Sequence, residues 1–158
     1  MIALRPARRD ELPVLWALRT RAVAHACVGH YAQAVLDIWL AAPAPDSLAR
    51  LVDAGGATVA EDSGRTLGYA VVDLASGEVD AVFVEPDAHG RGIGALLLDA
   101  CEDMARAAGR KRLFLSASLN ALPFYQRAGF AALREELYAH RSGIGIPSVY
   151  MEKQIGQA

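Results

Sequence analysis

The sequence predicts one α/β (α+β) domain over residues 1–158, with a mixed and mostly antiparallel central sheet of six to seven strands. A chain of 158 residues has the usual length of a single domain and is long enough to bury a core without disulfides. Its composition, 53% hydrophobic and 22% charged, argues against an intrinsically disordered chain. The hydrophobic pattern changes from helical spacing to β-branched runs and back, which predicts both kinds of element.

The N-terminal third predicts one short strand and three helices. Residues 2–5 form a strand-like run that Pro6 closes. From about Asp10 onward, mostly apolar residues recur at helical spacing. That stripe consists of Leu12, Leu15, Trp16, Arg19, Val23 and Ala26. Two shorter helices are expected over 33–40 and 46–52, separated by a loop with two prolines.

The middle of the chain predicts an antiparallel meander followed by a long helix. Three β-branched runs, 57–61, 66–74 and 78–84, are separated by short turns that contain glycine. The helical period then returns over 91–108. The apolar stripe of this helix is expected to contain Ile93, Leu96, Leu97, Ala100, Cys101, Met104 and Ala108.

The last third predicts a strand, a short helix and two further strands. Their expected bounds are 112–116, 123–128, 130–138 and 149–152. No internal repeat or low-complexity linker interrupts the chain, so we expect a single domain.

Charge and cysteine content disfavour several classes of protein. Basic and acidic residues number 7 and 9 in residues 1–79 and 9 and 9 in residues 80–158, so no half has the basic excess of a nucleic-acid binder. Cys27 and Cys101 lie 74 positions apart, and no apolar leader opens the sequence, so we expect a cytoplasmic protein with reduced thiols. No apolar run is long enough for a membrane helix, and no membrane partner is expected. Arg outnumbers Lys 14 to 2, which is typical of a GC-rich bacterial genome.

Gly90, Gly92 and Gly94 alternate where the third meander strand gives way to the long helix. Without Cβ atoms the backbone can approach a ligand closely, and a helix N-terminus adds partial positive charge. The segment therefore predicts an anion site of pyrophosphate size. A tight strand-to-helix turn without any ligand explains it about equally well.

Two other phosphate-binding motifs fit this segment poorly. A Walker A loop is excluded, because no Gly-Lys-Ser/Thr follows. Gly90, Gly92 and Ala95 match the dinucleotide fingerprint, but Glu85–His89 separates the strand from the first glycine and the preceding strands form a meander. An NADP-dependent reductase therefore remains only as an alternative.

Two blocks of the sequence resemble the GNAT superfamily of N-acetyltransferases, and the resemblance covers nearly the whole chain. His89–Gly94 is similar to the acyl-CoA signature Arg/Gln-x-x-Gly-x-Gly/Ala at both glycines, with His at the first position. Asn120 and Tyr125 resemble the second block, in which the tyrosine stands four residues before a Gly-Phe pair, here Gly129 and Phe130. The Asn-to-Tyr gap is shorter than in many members.

The resemblance implies helices on both faces of the sheet and acetyl-CoA as co-substrate between two splayed parallel strands, 78–84 and 112–116. Strand backbone would pair with the pantetheine arm, with the Val84 N–H near the thioester carbonyl, and the loop amides would bind the pyrophosphate. The cofactor-binding residues implied are Val82, Phe83, Val84, His89, Gly90, Arg91, Gly92, Ile93, Gly94, Ala95, Asn120 and Tyr125.

The implied reaction moves an acetyl group to an amine of an unidentified small molecule or peptide by direct attack in a ternary complex. By resemblance, Tyr125 is the general acid for the leaving thiolate. Glu78 and Asp80 lie at period-two spacing on the cofactor strand, so they face one side and are candidates for the general base. Solvated strand residues explain them about equally well. A non-catalytic acyl-CoA sensor or adaptor is the main alternative.

No metal site is expected, although His25, Cys27 and His30 fall within six positions. Spacings of two and three residues spread these side chains around a helix rather than onto one face. The N-terminal helices usually roof the acceptor pocket in the resembled family, which makes four residues candidates for acceptor contact: His25, His30, Tyr31 and Trp39. A homodimer that pairs a late strand is also common in that family and is kept as an expected assembly.

Overall fold

The computed structural model describes residues 1–156, which form one seven-stranded sheet flanked by five α-helices. The strands are β1 Ala3–Pro6, β2 Ala57–Asp62, β3 Arg65–Asp73, β4 Glu78–Val84, β5 Arg112–Ser118, β6 Ala131–Ala139 and β7 Gly145–Gln154. The helices are α1 Leu12–Ala26, α2 Gln33–Ala41, α3 Asp46–Asp53, α4 Ile93–Ala107 and α5 Leu122–Arg127. The strand order is β1-β2-β3-β4-β5-β7-β6, and only β4 and β5 pair in parallel. The predicted mixed, mostly antiparallel fold is confirmed.

The middle of the sheet is buried on both faces, which helices cover. On β3, Ala70 and Val72 pack toward α4 and α5, whereas Tyr69 and Val71 pack toward α1 and α3. This alternation is the period of a strand whose two sides both lie in a core. Helices on both faces were predicted, and the two clusters confirm them.

A β-bulge interrupts β4 at Asp80. Val71 of β3 lies opposite Ala81, and the next residue, Val72, lies opposite Val79, so Asp80 has no partner on β3. The bulge shifts the alternation by one position. Val79 and Val82 therefore both face α4 although they are three positions apart.

Strands β4 and β5 separate almost as soon as they meet. Their parallel pairing is confined to Glu78 and Phe114, and the Phe114 N–H donates to the Gly77 carbonyl at 3.1 Å. Gly77 has φ +90°, and a Cβ there would lie 2.4 Å from the Arg112 oxygen, so this junction requires glycine. Beyond it the strands diverge into a V-shaped cleft with Glu78 at its apex. The splayed pair predicted by resemblance is confirmed.

The apolar stripe of α4 differs from the predicted one. Leu96 is 42% exposed, and the core contains Leu98 in its place. Ala105 is likewise buried where Ala108 was expected. Because α4 lies across β2, β3 and β4, it buries a wider arc than a narrow stripe.

Strand β7 runs over ten residues, where four were predicted, and it pairs with both β5 and β6. Strand β6 forms the outer edge of the sheet and is exposed along most of its length. The dimer through a late strand stays a prediction. Within residues 1–156, none of the helices has the length and apolarity needed to cross a membrane.

Candidate active site

A cavity of about 890 Å³ fills the cleft between β4 and β5 and continues beneath α1 and α2. Of the site residues predicted from the sequence, all but Arg91 line it. The Arg91 guanidinium instead donates to Asp62 at 3.0 Å on the outer side of the loop. The lining residues from the predicted set are Glu78, Asp80, Val82, Phe83, Val84, His89, Gly90, Gly92, Ile93, Gly94, Ala95, Asn120 and Tyr125.

The glycine loop, residues 89–94, forms one mouth of this cavity. Gly90 and Gly92 have φ values of +85° and +74°, and a Cβ on either would meet no atom within 4 Å. Gly92 is the N-cap of α4 without a side-chain cap, so the N–H groups of the first helical turn have no intrahelical partner. Open space beside free amides at the positive end of a 15-residue helix fits a pyrophosphate.

Gly94 is required for a different reason. A Cβ there would lie 3.0 Å from Cε1 and 3.2 Å from Cζ of the Phe124 ring. The residue therefore allows α4 to pack closely against α5, and α5 carries Tyr125 into the cavity.

An ion pair between an exposed arginine and a buried carboxylate connects α1 to the start of the loop. The Glu85 carboxylate directly follows β4 and is 9% exposed. Arg21 of α1 holds it with two hydrogen bonds, Nε at 2.9 Å and Nη2 at 2.8 Å. The pair neutralises a carboxylate that would otherwise repel an anion at the loop. Because the partners are 64 positions apart, no local pattern in the sequence indicates this contact.

Strand β4 contributes mainly backbone groups to the cleft. Val82 and Val84 pack toward α4, and the Phe83 ring lies 5.7 Å from Tyr69 on the opposite face. Past Glu78, the β5-facing edge of β4 has no strand partner in the described structure. Its free N–H and C=O groups can bind an extended, amide-containing ligand by strand addition.

Glu78 and Asp80, which we call the acid pair, lie together near the apex of the cleft. Burial raises the pKa of both carboxyl groups above their ordinary values, and the nearby charge of Asp73 adds to this effect. The charge of Asp80 also raises the pKa of Glu78. Asp80 is the exposed residue of β4, and it lines the cavity. Raised pKa values make these carboxylates stronger bases than solvated ones.

Tyr125 lies at the junction of the cavity and the core. Its ring makes edge-to-face contacts with Phe124 and Phe130, with centroid distances of 5.0 and 5.6 Å. Burial raises the pKa of the phenol far above its ordinary value, so the hydroxyl stays protonated at neutral pH. No side-chain or backbone group of residues 1–156 hydrogen-bonds to that hydroxyl. It is free to donate to a ligand.

The end of α1 meets the second motif block through Cys27. Its thiol donates to Oδ1 of Asn120 at 3.2 Å, so Asn120 is directed toward α1. Burial raises the pKa of Cys27 to about 11. His25 lies instead beside His89, at a ring distance of 6.2 Å. The described part of the chain contains no group of three His, Cys, Asp or Glu side chains suited to a metal ion.

Two of the four predicted acceptor-contact residues reach the cavity. Tyr31 and Trp39 line it, with their rings 5.4 Å apart, whereas His25 and His30 do not. The Tyr31 hydroxyl donates to the Pro147 carbonyl at 2.7 Å and accepts from the Leu119 N–H at 2.9 Å. This side chain therefore ties β7 to the end of β5.

Arg19 is a cavity residue that we did not predict. It lies on α1, is 3% exposed and lines the cavity. The signal was present, because Arg19 is the one charged residue on an otherwise apolar helical stripe.

Residues 27–155 match the family model described as an acetyltransferase (GNAT) domain. An IAA acetyltransferase from Azospirillum brasilense is 35% identical over 106 residues, which cover 61% of this chain and 66% of that protein. A glucosamine 6-phosphate N-acetyltransferase from Trypanosoma brucei brucei is 38% identical over 64 residues, covering 40% of this chain and 43% of that protein. The matched segments thus span less than two thirds of these relatives.

Solved structures share the fold over nearly the whole chain. A GCN5-related N-acetyltransferase from Rhodopseudomonas palustris has a TM-score of 0.86 at 25% identity, covering 96% of this chain and 94% of that one. The PaiA N-acetyltransferase from Thermoplasma acidophilum, solved with coenzyme A, has a TM-score of 0.75 at 16% identity, covering 98% and 99%.

The mixed sheet, its splayed strand pair and the glycine loop at the start of α4 form a fold that this chain shares with N-acetyltransferases of known structure. With a family model matching more than half of its length, the chain belongs to the GNAT acetyltransferase family. The family predicted from the two motif blocks is confirmed. The NADP-dependent reductase is excluded, because β2, β3 and β4 form an antiparallel meander where a dinucleotide fold needs βαβ units.

Proposed function

We propose that this protein transfers an acetyl group from acetyl-CoA to the amine of a small molecule or peptide by direct attack in a ternary complex. The observation that carries the proposal is one continuous cavity that joins the glycine loop, the free edge of β4, the acid pair and Tyr125. Family membership supports the same conclusion.

The loop and the strand would share the binding of acetyl-CoA, which supplies an acetyl group activated as a thioester. The free amides over 90–95 would hold the pyrophosphate, and the Arg21–Glu85 pair keeps the carboxylate beside them neutralised. The unpaired edge of β4 would bind the pantetheine amides. The Val84 N–H is our proposed donor to the thioester carbonyl.

The acid pair would deprotonate the acceptor. A primary amine with a pKa of ~10 is only about one part in a thousand neutral at pH 7, so attack requires a proton acceptor. Glu78 and Asp80 are available at the apex of the cleft, and burial raises the pKa of both. Either carboxylate can take the amine proton directly or through one water.

Tyr125 would stabilise the leaving sulfur. Its raised pKa lies well above the ~8.5 of an ordinary thiol, so complete proton transfer to a thiolate is uphill. The hydroxyl therefore acts chiefly by donating a hydrogen bond to negative charge that develops on sulfur. Water then supplies the final proton.

The two thiols argue for direct attack rather than an acyl-enzyme. Burial raises the pKa of Cys27 to about 11 and that of Cys101 to about 12, so neither forms a thiolate at neutral pH. Cys101 lies in the core beneath α4 and does not line the cavity.

Calorimetric titration with acetyl-CoA, with NADPH as the control ligand, tests the proposal. We expect micromolar binding of acetyl-CoA alone. Gly92→Val should weaken that binding at least about tenfold, since it places a branched side chain in the loop at φ +74°. Gly109→Val is the matched control, because Gly109 also has positive φ and open surroundings but ends α4.

A free-thiol assay with a panel of amines then measures transfer. Acetyl-CoA binding without thiol release for any amine would favour a sensor or adaptor. If acetyl-CoA does not bind, the assignment of the cleft is wrong.

A further inference from the structure

Arg19 is a buried cation without a counter-ion. Its Nη2 donates to the Trp39 carbonyl at 2.7 Å and its Nη1 to Oγ1 of Thr20 at 3.3 Å. The guanidinium carbon lies 4.3 Å from the centroid of the Trp16 ring. None of the carboxylates in residues 1–156 forms an ion pair with it.

Two partly buried arginines elsewhere in the chain are paired with carboxylates: Arg5 binds Glu11, and Arg106 binds Glu102. Burying a charge without such a partner is costly, and Arg19 is 97% buried at the cavity wall. Burial is also the main cause that lowers the pKa of Arg19. An anionic ligand group in the cavity would supply the missing counter-ion.

Groups of both charges line the cavity. Arg19 and Arg141 are the cationic ones near its acceptor end, and the Arg141 guanidinium also binds the Pro43 carbonyl. The acid pair lines the same cavity.

Tyr69 and Tyr138 line the same cavity. Burial is the main cause that raises the pKa of both tyrosines, and each also responds to groups of either charge: Tyr69 to Arg19 and Asp80, and Tyr138 to Asp80 and Arg141. A molecule that carries both an anionic group and an amine can therefore meet both kinds of group within one cavity.

We propose that the acceptor is a compact zwitterion, a primary amine that also carries a carboxylate or phosphate. Arg19 would bind the anionic group, and the amine would face Glu78 and Asp80 across the cavity. The aromatic walls formed by Trp16, Trp39 and Tyr69 limit water and strengthen this ion pair. Arg19 is thus a specificity-determining residue. The inference rests on the proposed acetyl transfer and names its acceptor class.

The reaction balances for such an acceptor. The ammonium group loses one proton to the acid pair before attack, and the carbon–nitrogen bond forms as the carbon–sulfur bond breaks. The amide nitrogen releases a second proton, and the leaving sulfur takes up one. The products are an N-acetyl anion, a thiol and one proton released to solvent.

Matched acceptors test the proposal. We would compare glucosamine 6-phosphate with glucosamine, and L-phenylalanine with its methyl ester, by kcat/KM in the free-thiol assay. In at least one pair the anionic member should be preferred about tenfold or more, and the pair that responds separates phosphate from carboxylate.

Variants assign that preference to Arg19. Arg19→Gln should lower kcat/KM for the anionic member about 10- to 100-fold more than for its neutral counterpart. Arg19→Lys keeps the charge and should retain part of the preference. Arg9→Gln, which removes a surface arginine paired with Asp53, should change neither.

Two results would overturn the inference while acetyl transfer stands. One is the absence of any preference for the anionic member in both pairs. The other is an equal loss for both members in Arg19→Gln with acetyl-CoA binding intact, which would make Arg19 a purely structural link between α1 and α2. Failure of the wild-type protein to bind acetyl-CoA would instead refute the proposed function itself.

Discussion

Replacing Tyr125 by Phe separates a catalytic from a structural contribution of the second motif block. The substitution removes only the hydroxyl and keeps the ring contacts with Phe124 and Phe130. Since that hydroxyl has no partner in residues 1–156, its loss should change stability by less than about 0.5 kcal/mol. For a chain of 158 residues this corresponds to a Tm change within about 2 °C.

The expected effect on turnover is much larger. Proton donation by a positioned side chain contributes roughly 10²- to 10⁴-fold, and a hydroxyl limited to hydrogen bonding belongs at the lower end. We therefore expect kcat to fall about 100-fold, or ~2.7 kcal/mol, with the acetyl-CoA Kd within about threefold of wild type. Because burial raises the pKa of Tyr125, the wild-type rate should show no alkaline loss from this group up to about pH 10.

The assay combines thiol release, calorimetry and thermal melting. Tyr150→Phe is the matched control. The Tyr150 hydroxyl donates to Glu152 at 2.7 Å, and the residue does not line the cavity. A fall in kcat of less than about threefold in Tyr125→Phe would refute the role of the hydroxyl. A parallel fall in Tm and acetyl-CoA affinity would assign the residue to packing.

Three further substitutions address the remaining parts of the site. Tyr31→Phe leaves two main-chain groups unpaired and should cost about 2 kcal/mol, or roughly 4–8 °C in Tm; a change under 2 °C in a thermal melt would contradict this. Gly94→Leu should lower stability by about 1–3 kcal/mol and weaken acetyl-CoA binding, because the new Cβ meets the Phe124 ring that packs α4 on α5. An unchanged acetyl-CoA Kd in calorimetry would contradict this. Burial raises the pKa of Glu78 and Asp80, and the deprotonated form is the active one. Thus kcat/KM should fall as pH drops through an acid limb above the ordinary Glu value of 4.5, and Glu78→Gln with Asp80→Asn should remove the limb.

The sequence predicted most elements, because local patterns determine them. The bounds of β4, Glu78–Val84, agree with the prediction, since β-branched residues between a glycine turn and a proline mark such a strand. The bulge at Asp80 was missed, because it arises from register with β3 and leaves no local sign. Leu98 was missed as a core residue for a similar reason: the width of a buried arc depends on which strands a helix covers.

The candidate site likewise contains features that the sequence shows and features that only the folded chain shows. Gly90 and Gly92 were identified from residue type alone, because glycine is the residue that adopts positive φ without strain and lets a ligand approach the backbone closely. The Arg21–Glu85 pair joins positions that only the folded chain brings together. Arg19 differs from both, because its place on an apolar stripe was visible but its lack of a carboxylate partner required the three-dimensional structure.

The single point of pairing between β4 and β5 has a consequence for the dynamics of the sheet. The sheet consists of two groups of strands, β1–β4 and β5–β7, and the two groups pair only at Glu78 and Phe114. Amide hydrogens along the inner edges of β4 and β5 should therefore exchange with solvent faster than those between β2 and β3. A ligand bound along the cleft would connect the two groups of strands into one cooperative unit. Slower exchange of those amide hydrogens would then measure how much of the protein has ligand bound.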